Sequence, residues 1–205
     1  PVAVSLESFR RYHESEAWTW ERLALTRARA IAGSPELGRE VEAVIRAALI
    51  AKADDAAILT DARDMREKVA TQFPGKSRWD LKYAPGGTVD IEFVAQALQL
   101  RTAHRAPDVL DVNTIGALRR LESAAALSPT EAETLIAAAD LQSALTQVLR
   151  IAVDGTLDPQ AATPGLKALL VRAGSATDFE TLDKHLAGMQ DGARGVFERL
   201  LPPPA

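Results

Sequence analysis

The sequence predicts an all-α protein, a helical bundle of about seven to eight helices. Three observations predict it. Prolines at 1, 35, 74, 85, 107, 129, 159, 164 and 202–204 punctuate the chain. The segments between them are rich in Ala and Leu, with apolar residues recurring at three- and four-residue spacing. The apolar–polar alternation of a half-buried strand is nearly absent.

Taken in order, the periodicity places helices near 5–32, 36–52, 55–72, 88–104, 113–126, 129–153, 164–173 and 178–201. Ser34, Ser128 and Thr163 each precede a proline, so each pair supplies a side-chain cap followed by proline at the first helical position. The turn-rich stretch "DGTLDPQAATPG" at 154–165 divides a bundle over 1–155 from a smaller helical extension over 156–205. The closing "LPPPA" is a stop.

Composition bounds the function. With 47% hydrophobic and 25% charged residues, the chain has the balance of an ordinary soluble domain. Its net charge of −4 speaks against nucleic acid as a partner, because phosphate neutralisation calls for a basic surface. No apolar run approaches the length of a membrane span, and the first residues lack a signal-peptide pattern. There is no cysteine, which removes disulfides and thiolate metal sites and suits a cytoplasmic location. A chain opening on Pro1 without an initiator methionine reads as a fragment or a processed product.

The first helix reads as central, being apolar on two sides. Trp20, Leu23, Ala24 and Ile31 form one stripe, and Trp18, Leu25 and Ala32 another. Arg27 falls on the first stripe, with Arg22 and Arg29 on the second. An arginine on an apolar stripe either extends its head to water or meets a buried acid. The helix over 88–104 offers Asp90, and a polar seam of Glu92, Gln96 and Gln99, on a body that is apolar almost all round. Arg27 is therefore expected to be buried and paired with Asp90 or Glu92.

"KYAPGGTVDIEFVAQALQLR" (82–101) poses the sharpest chemical question. Two glycines followed by an Asp and a Glu resemble the magnesium-binding signature of nucleotidyltransferases. That signature needs its carboxylate pair on a strand, roughly ten residues after the glycine turn. Here only Thr88 and Val89 separate Gly87 from Asp90, and the following sequence is helical in period. On a helix, Asp90 and Glu92 point about 200° apart and cannot share a metal. Gly86 and Gly87 instead form a tight turn into the helix, with Asp90 in its first turn, where a carboxylate suits the helix dipole. No catalytic residue and no metal ligand is assigned. His13, His104 and His185 lack metal-ligand spacing, and a phosphotransfer role for His104 is less natural than a helix-end histidine.

The loop over 71–87 gathers Lys76, Arg78, Lys82, Trp79 and Tyr83. It is long for a helix–helix connection. Either it contacts phosphate or a protein partner, or it is a solvated spacer pinned by Trp79. In the first case it is mobile without that partner, and the free N–H groups of the following helix face the partner or an anion.

"FRRYHESEAWTWERLALTRARAIAG" (9–33), "DARDMREKVA" (61–70) and "DLKYAPGGTVDIEFVAQALQLRTAHRAPDVL" (80–110) together resemble the bifunctional glutamine synthetase adenylyltransferase/adenylyl-removing family. The likeness is to the helical domain that follows a nucleotidyltransferase module, and it is strongest over the first 110 residues or so. Related PII uridylyltransferases carry a kindred domain. The matched motif positions are Trp18, Trp20, Glu21, Arg27, Arg29, Asp80, Lys82, Gly86, Gly87, Asp90 and Glu92. Of these, Trp18, Trp20, Glu21, Arg27, Arg29, Asp90 and Glu92 are expected to form a structural network. Asp80, Lys82, Gly86 and Gly87, with Lys76 and Arg78, form a docking or phosphate-facing set.

The resemblance implies transfer of AMP from ATP to a tyrosine of glutamine synthetase, and its removal by phosphorolysis. It implies ATP and Mg2+ in the parent enzyme and no cofactor in this chain, whose look is that of the adenylylating half. The implied partners are an upstream nucleotidyltransferase module, glutamine synthetase and the PII signal protein. The piece alone is expected to be folded and inactive. A stand-alone helical interaction module, or the helical domain of a PII uridylyltransferase, is the alternative.

Overall fold

The structure, a computed structural model, describes residues 3–52 and 54–203. Among these there are nine α-helices, one short 3-10 turn at Pro107–Val109 and no strand. The helices are α1 (Leu6–Ser15), α2 (Thr19–Leu25), α3 (Pro35–Ile50), α4 (Asp55–Gln72), α5 (Thr88–Thr102), α6 (Thr114–Ser123), α7 (Pro129–Ala152), α8 (Pro164–Ala173) and α9 (Phe179–Leu200). The all-α expectation holds. The three proline caps form as read: Ser34 accepts from the Leu37 N–H at 3.2 Å, Ser128 from Glu131 at 3.4 Å and Thr163 from Leu166 at 3.3 Å.

The helix expected over 5–32 is two helices followed by an irregular segment, which accounts for the extra element. Local hydrogen bonding breaks it. The Glu21 carboxylate accepts the Trp18 N–H at 2.9 Å, starting a new helix there, and also the Tyr12 hydroxyl at 2.7 Å. At the far end, the Thr26 hydroxyl donates to the Leu23 carbonyl at 2.7 Å, drawing that acceptor toward a side chain.

The centre of the molecule is α5, not the first helix. Val89, Ile91, Val94, Ala95, Ala97, Leu98 and Leu100 are all buried. It packs against α2, α4, α6, α7 and α9. From the two proposed stripes of the first helix only Leu23 and Leu25 reach the core, while Trp18 is 71% and Ile31 86% exposed. The break at Trp18 and the end of α2 at Leu25 interrupt the period that would have carried the stripes inward.

The core has two parts. The larger surrounds α5 and includes Leu135 and Ala138 of α7 and Ala193, Val196 and Phe197 of α9. The smaller is built from Trp79, Leu81, Leu141, Leu145, Leu157, Leu170, Leu182 and Leu186. Helices α7 and α9 contribute to both, so the connector at 154–165 does not mark a gap in packing.

Candidate functional site

The loop between α4 and α5 packs against the helices and is pinned by Trp79. Trp79, Leu81 and Ala84 are buried. The Trp79 indole stacks on Phe179, with centroids 5.2 Å apart, and its N–H donates to Asp183 at 2.8 Å. Tyr83 stacks on Phe73 at 5.1 Å. The reason is that the loop's Trp79 and Leu81 pack with Leu141 and Leu145 of α7 and Leu182 and Leu186 of α9.

Gly86 sits at φ +71, and a Cβ there would collide with the Gln190 backbone. Its carbonyl accepts the Gln142 side-chain N–H at 3.1 Å, and Gln190 in turn donates to the Arg78 carbonyl at 2.8 Å. Gly87 caps α5, hemmed in by the carbonyls of Ala84, Leu81 and Lys82. The N–H groups expected to be free at this helix start are not. Thr88 donates to the Leu81 carbonyl at 2.9 Å and Val89 to that of Lys82 at 3.2 Å. The turn folds back on the helix and closes the anion position.

Asp90 is fully buried. One oxygen takes the Arg66 Nε–H at 2.5 Å; the other takes Arg194 at 3.1 Å and the Gly86 N–H at 2.7 Å. Arg194 also pairs with Glu198, and Glu198 with Arg63 at 2.5 Å. Arg63 donates to the Leu201 carbonyl at 3.0 Å. This chain of charges ties α4, α5 and α9 to the glycine turn. Burial works to raise the Glu198 pKa, but the Arg63 and Arg194 guanidinium groups outweigh it and hold the carboxyl below its ordinary range.

Glu92 points elsewhere. It pairs with Arg27 at 2.8 Å, on a face where the two side chains are 29% and 50% exposed. Arg27 thus meets one of its two expected acids, but at the surface. Asp90's partners are Arg66 and Arg194. Asp90 and Glu92 diverge as helix geometry requires. With both Asp90 oxygens taken by guanidinium groups, the donors do not suit a divalent cation.

The remaining motif residues are dispersed. Trp18 and Trp20 are exposed at the start of α2, and Glu21 bonds Tyr12. Hydrogen bonds from the Tyr12 hydroxyl and the Trp18 N–H hold the Glu21 carboxyl below its usual range. Arg29 is exposed. Arg22, from the second stripe, closes the end of α3 by donating to the carbonyls of Ala48 and Ala51 at 2.9 and 3.1 Å. Lys76 is exposed; Arg78 lies 3.9 Å from Asp183. Asp80 caps the turn by accepting the Tyr83 N–H at 3.3 Å. Lys82 stands over the Tyr83 ring, 4.8 Å from its centroid.

Sequence reasoning missed Arg63, Arg66, Arg194, Glu198, Gln142 and Gln190. Some signal was present. Arg63 and Arg66 lie three apart on "DARDMREKVA", and Arg194 and Glu198 four apart on "DGARGVFERL", each pair sharing a helix face.

Beside α5 lies an open cleft of about 510 Å3. Lys82, Arg27 and Arg150, from three separate elements, line it together with Thr88, Thr146 and Glu92. No helix among the described residues is long and apolar enough to cross a membrane.

Comparison with known proteins places this architecture. A family profile described as glutamate-ammonia ligase adenylyltransferase matches residues 1–44. A second, described as GlnD PII-uridylyltransferase, matches residues 59–159. The bifunctional glutamine synthetase adenylyltransferase/adenylyl-removing enzyme of Rhodopseudomonas palustris is 46% identical over 201 residues, covering 98% of this chain and 20% of the relative. Those of Bradyrhizobium diazoefficiens and Xanthobacter autotrophicus are each 45% identical over the same shares. The chain thus spans about a fifth of the length of the curated relatives it matches. Matched almost end to end by one segment of these proteins, and built as the all-α unit that its motifs imply, the chain is similar throughout to a segment of the bifunctional glutamine synthetase adenylyltransferase/adenylyl-removing enzymes.

Proposed function

We propose that this chain is the helical module that follows the nucleotidyltransferase module in the adenylylating half of a glutamine synthetase adenylyltransferase/adenylyl-removing enzyme. The observation that carries the proposal is the 46% identity over 98% of the chain to enzymes of that name. In this reading the whole enzyme works in the cytoplasm. It transfers AMP from ATP, with Mg2+, to a tyrosine of glutamine synthetase, and removes it by phosphorolysis. The catalytic carboxylates belong to the nucleotidyltransferase module, because the Asp90 oxygens here are committed to Arg66 and Arg194. The helical module serves as scaffold and as docking surface, with glutamine synthetase and the PII signal protein as partners of the whole enzyme. The folded turn from Lys76 to Gly87 presents Lys82 toward the catalytic neighbour.

The test is AMP transfer to glutamine synthetase. The 205-residue chain is expected to give none, and a longer protein carrying the nucleotidyltransferase module to give transfer. In that longer protein Lys82→Ala should lower transfer more than it lowers melting temperature. Transfer by the chain alone, or equal rates for Lys82→Ala and parent, would overturn the assignment. The match of residues 59–159 to the PII-uridylyltransferase profile supports a second reading as the helical module of that enzyme. UMP transfer to PII by the longer protein, without AMP transfer to glutamine synthetase, would select it.

A further inference from the structure

We propose that the cleft beside α5 binds a polyphosphate chain, held by Lys82, Arg150 and Arg27. Three cations converge there from the glycine loop, the last turn of α7 and the segment after α2, in a protein whose net charge is −4. Glu92 is the sole acid lining the cleft, and it is spent on Arg27 at 2.8 Å. Among the described residues, neither Lys82 nor Arg150 has a carboxylate partner. Like charges gathered without counter-charge repel one another, and a bound anion relieves that repulsion.

The shape favours a chain of phosphates over a single one. A second cleft, of about 360 Å3, shares Lys82, Thr146 and Arg150 with the first. Lys82 and Arg150 therefore stand between two adjoining hollows; Asp80, one oxygen of which accepts the Tyr83 N–H, also lines the second, so an extended anion lies along the first and reaches the second only at its Lys82 and Arg150 edge. Thr88 and Thr146 supply hydroxyl donors along the cleft. The arginines add planar, multi-donor heads that fit phosphate oxygens.

Part of the site is held in advance. The Lys82 carbonyl accepts the Val89 N–H at 3.2 Å, and its ammonium rests over the Tyr83 ring. This inference stands on the cleft alone and does not require the adenylyltransferase reading, since ligand binding by the chain and AMP transfer by the longer enzyme are separate readouts.

Isothermal titration calorimetry of the 205-residue chain with tripolyphosphate and, separately, ATP, both without divalent cation, tests it. Saturable binding of tripolyphosphate is expected, weaker at higher salt. Lys82→Ala and Arg150→Ala should each weaken it about tenfold, the loss of one charge-assisted contact. Glu92→Gln should tighten it by removing the acid. Arg119→Ala, an exposed cation on α6 outside the cleft, should leave it unchanged. Thermal melts close to the parent's show that these surface variants fold. Comparable affinity for ATP and tripolyphosphate identifies the phosphate chain as the recognised group; markedly tighter ATP binding identifies a nucleotide carrying it. Absence of saturable binding, an equal loss in Arg119→Ala, or equally tight binding of succinate at matched ionic strength would overturn the proposal.

Discussion

Two faces of α5 carry an acid paired with arginine, two residues apart, under opposite physical conditions. On the inner face Asp90 is fully buried between Arg66, itself only 4% exposed, and Arg194. On the outer face Glu92 meets a half-exposed Arg27 at the rim of an open cleft. Removing one member of a buried, hydrogen-bonded set strands uncompensated charge in low dielectric. Removing one member of an exposed pair leaves the other to water. Equal-looking ion pairs on one helix are thus structural on one side and available for ligands on the other.

The comparison is broken most severely at Asp90. Asp90→Ala leaves two guanidinium groups and the Gly86 N–H without their acceptor, and a loss of about 3–5 kcal/mol in a denaturant melt is expected. A double variant, Asp90→Leu with Arg66→Met, should recover part of that loss, because it removes a charge along with its partner. A fully additive double loss would show that the inner face is not a coupled pair.

Gly86→Ala comes next. It places a Cβ against the Gln190 backbone at a positive φ and should cost roughly 3 kcal/mol. A near-neutral result would mean that the turn and α9 separate freely.

Acid sharpens the comparison further. Glu21 and Glu198 both have folded pKa values below their ordinary 4.5. A depressed carboxyl contributes stability that is complete above the unfolded value and is lost as pH falls through the folded one. Thermal melts should therefore decline below about pH 4.5. Glu198→Gln should flatten that decline; an unchanged slope would remove Glu198 from the buried charge chain.

The smallest effect is expected on the outer face. Arg27→Met should change stability by less than about 1 kcal/mol. A loss matching that of Asp90→Ala would erase the distinction between the faces.

Much of the fold was legible in the sequence, because caps and periodicity act locally. The starts of α3, α7 and α8 follow from Ser34, Ser128 and Thr163, each beside proline, and all three side chains bond where expected. The apolar girth of α5 marked it as a buried helix, and the spacing of Asp90 and Glu92 on it was enough to reject a shared metal. The first helix misled, since its period of apolar residues continued through a point where Glu21 captures the Trp18 N–H. Of the candidate site, Lys82, Arg27 and Glu92 were visible as motif residues. Arg150 carried no signal, being one cation at a helix end.

The sequence by itself determined the helices from α3 onward, the caps at Ser34, Ser128 and Thr163, and the turn at Gly86 and Gly87, since each rests on residues within a few positions of one another. Only the tertiary structure decided which arginine meets which acid. Arg66 reaches Asp90 across 24 positions, and Arg194 across 104. Such pairings depend on which helix faces are brought together when the apolar surfaces of α4, α5 and α9 are buried. Every arginine in the sequence is chemically the same donor, and burial alone distinguishes the one that holds the core from the one that lines the cleft.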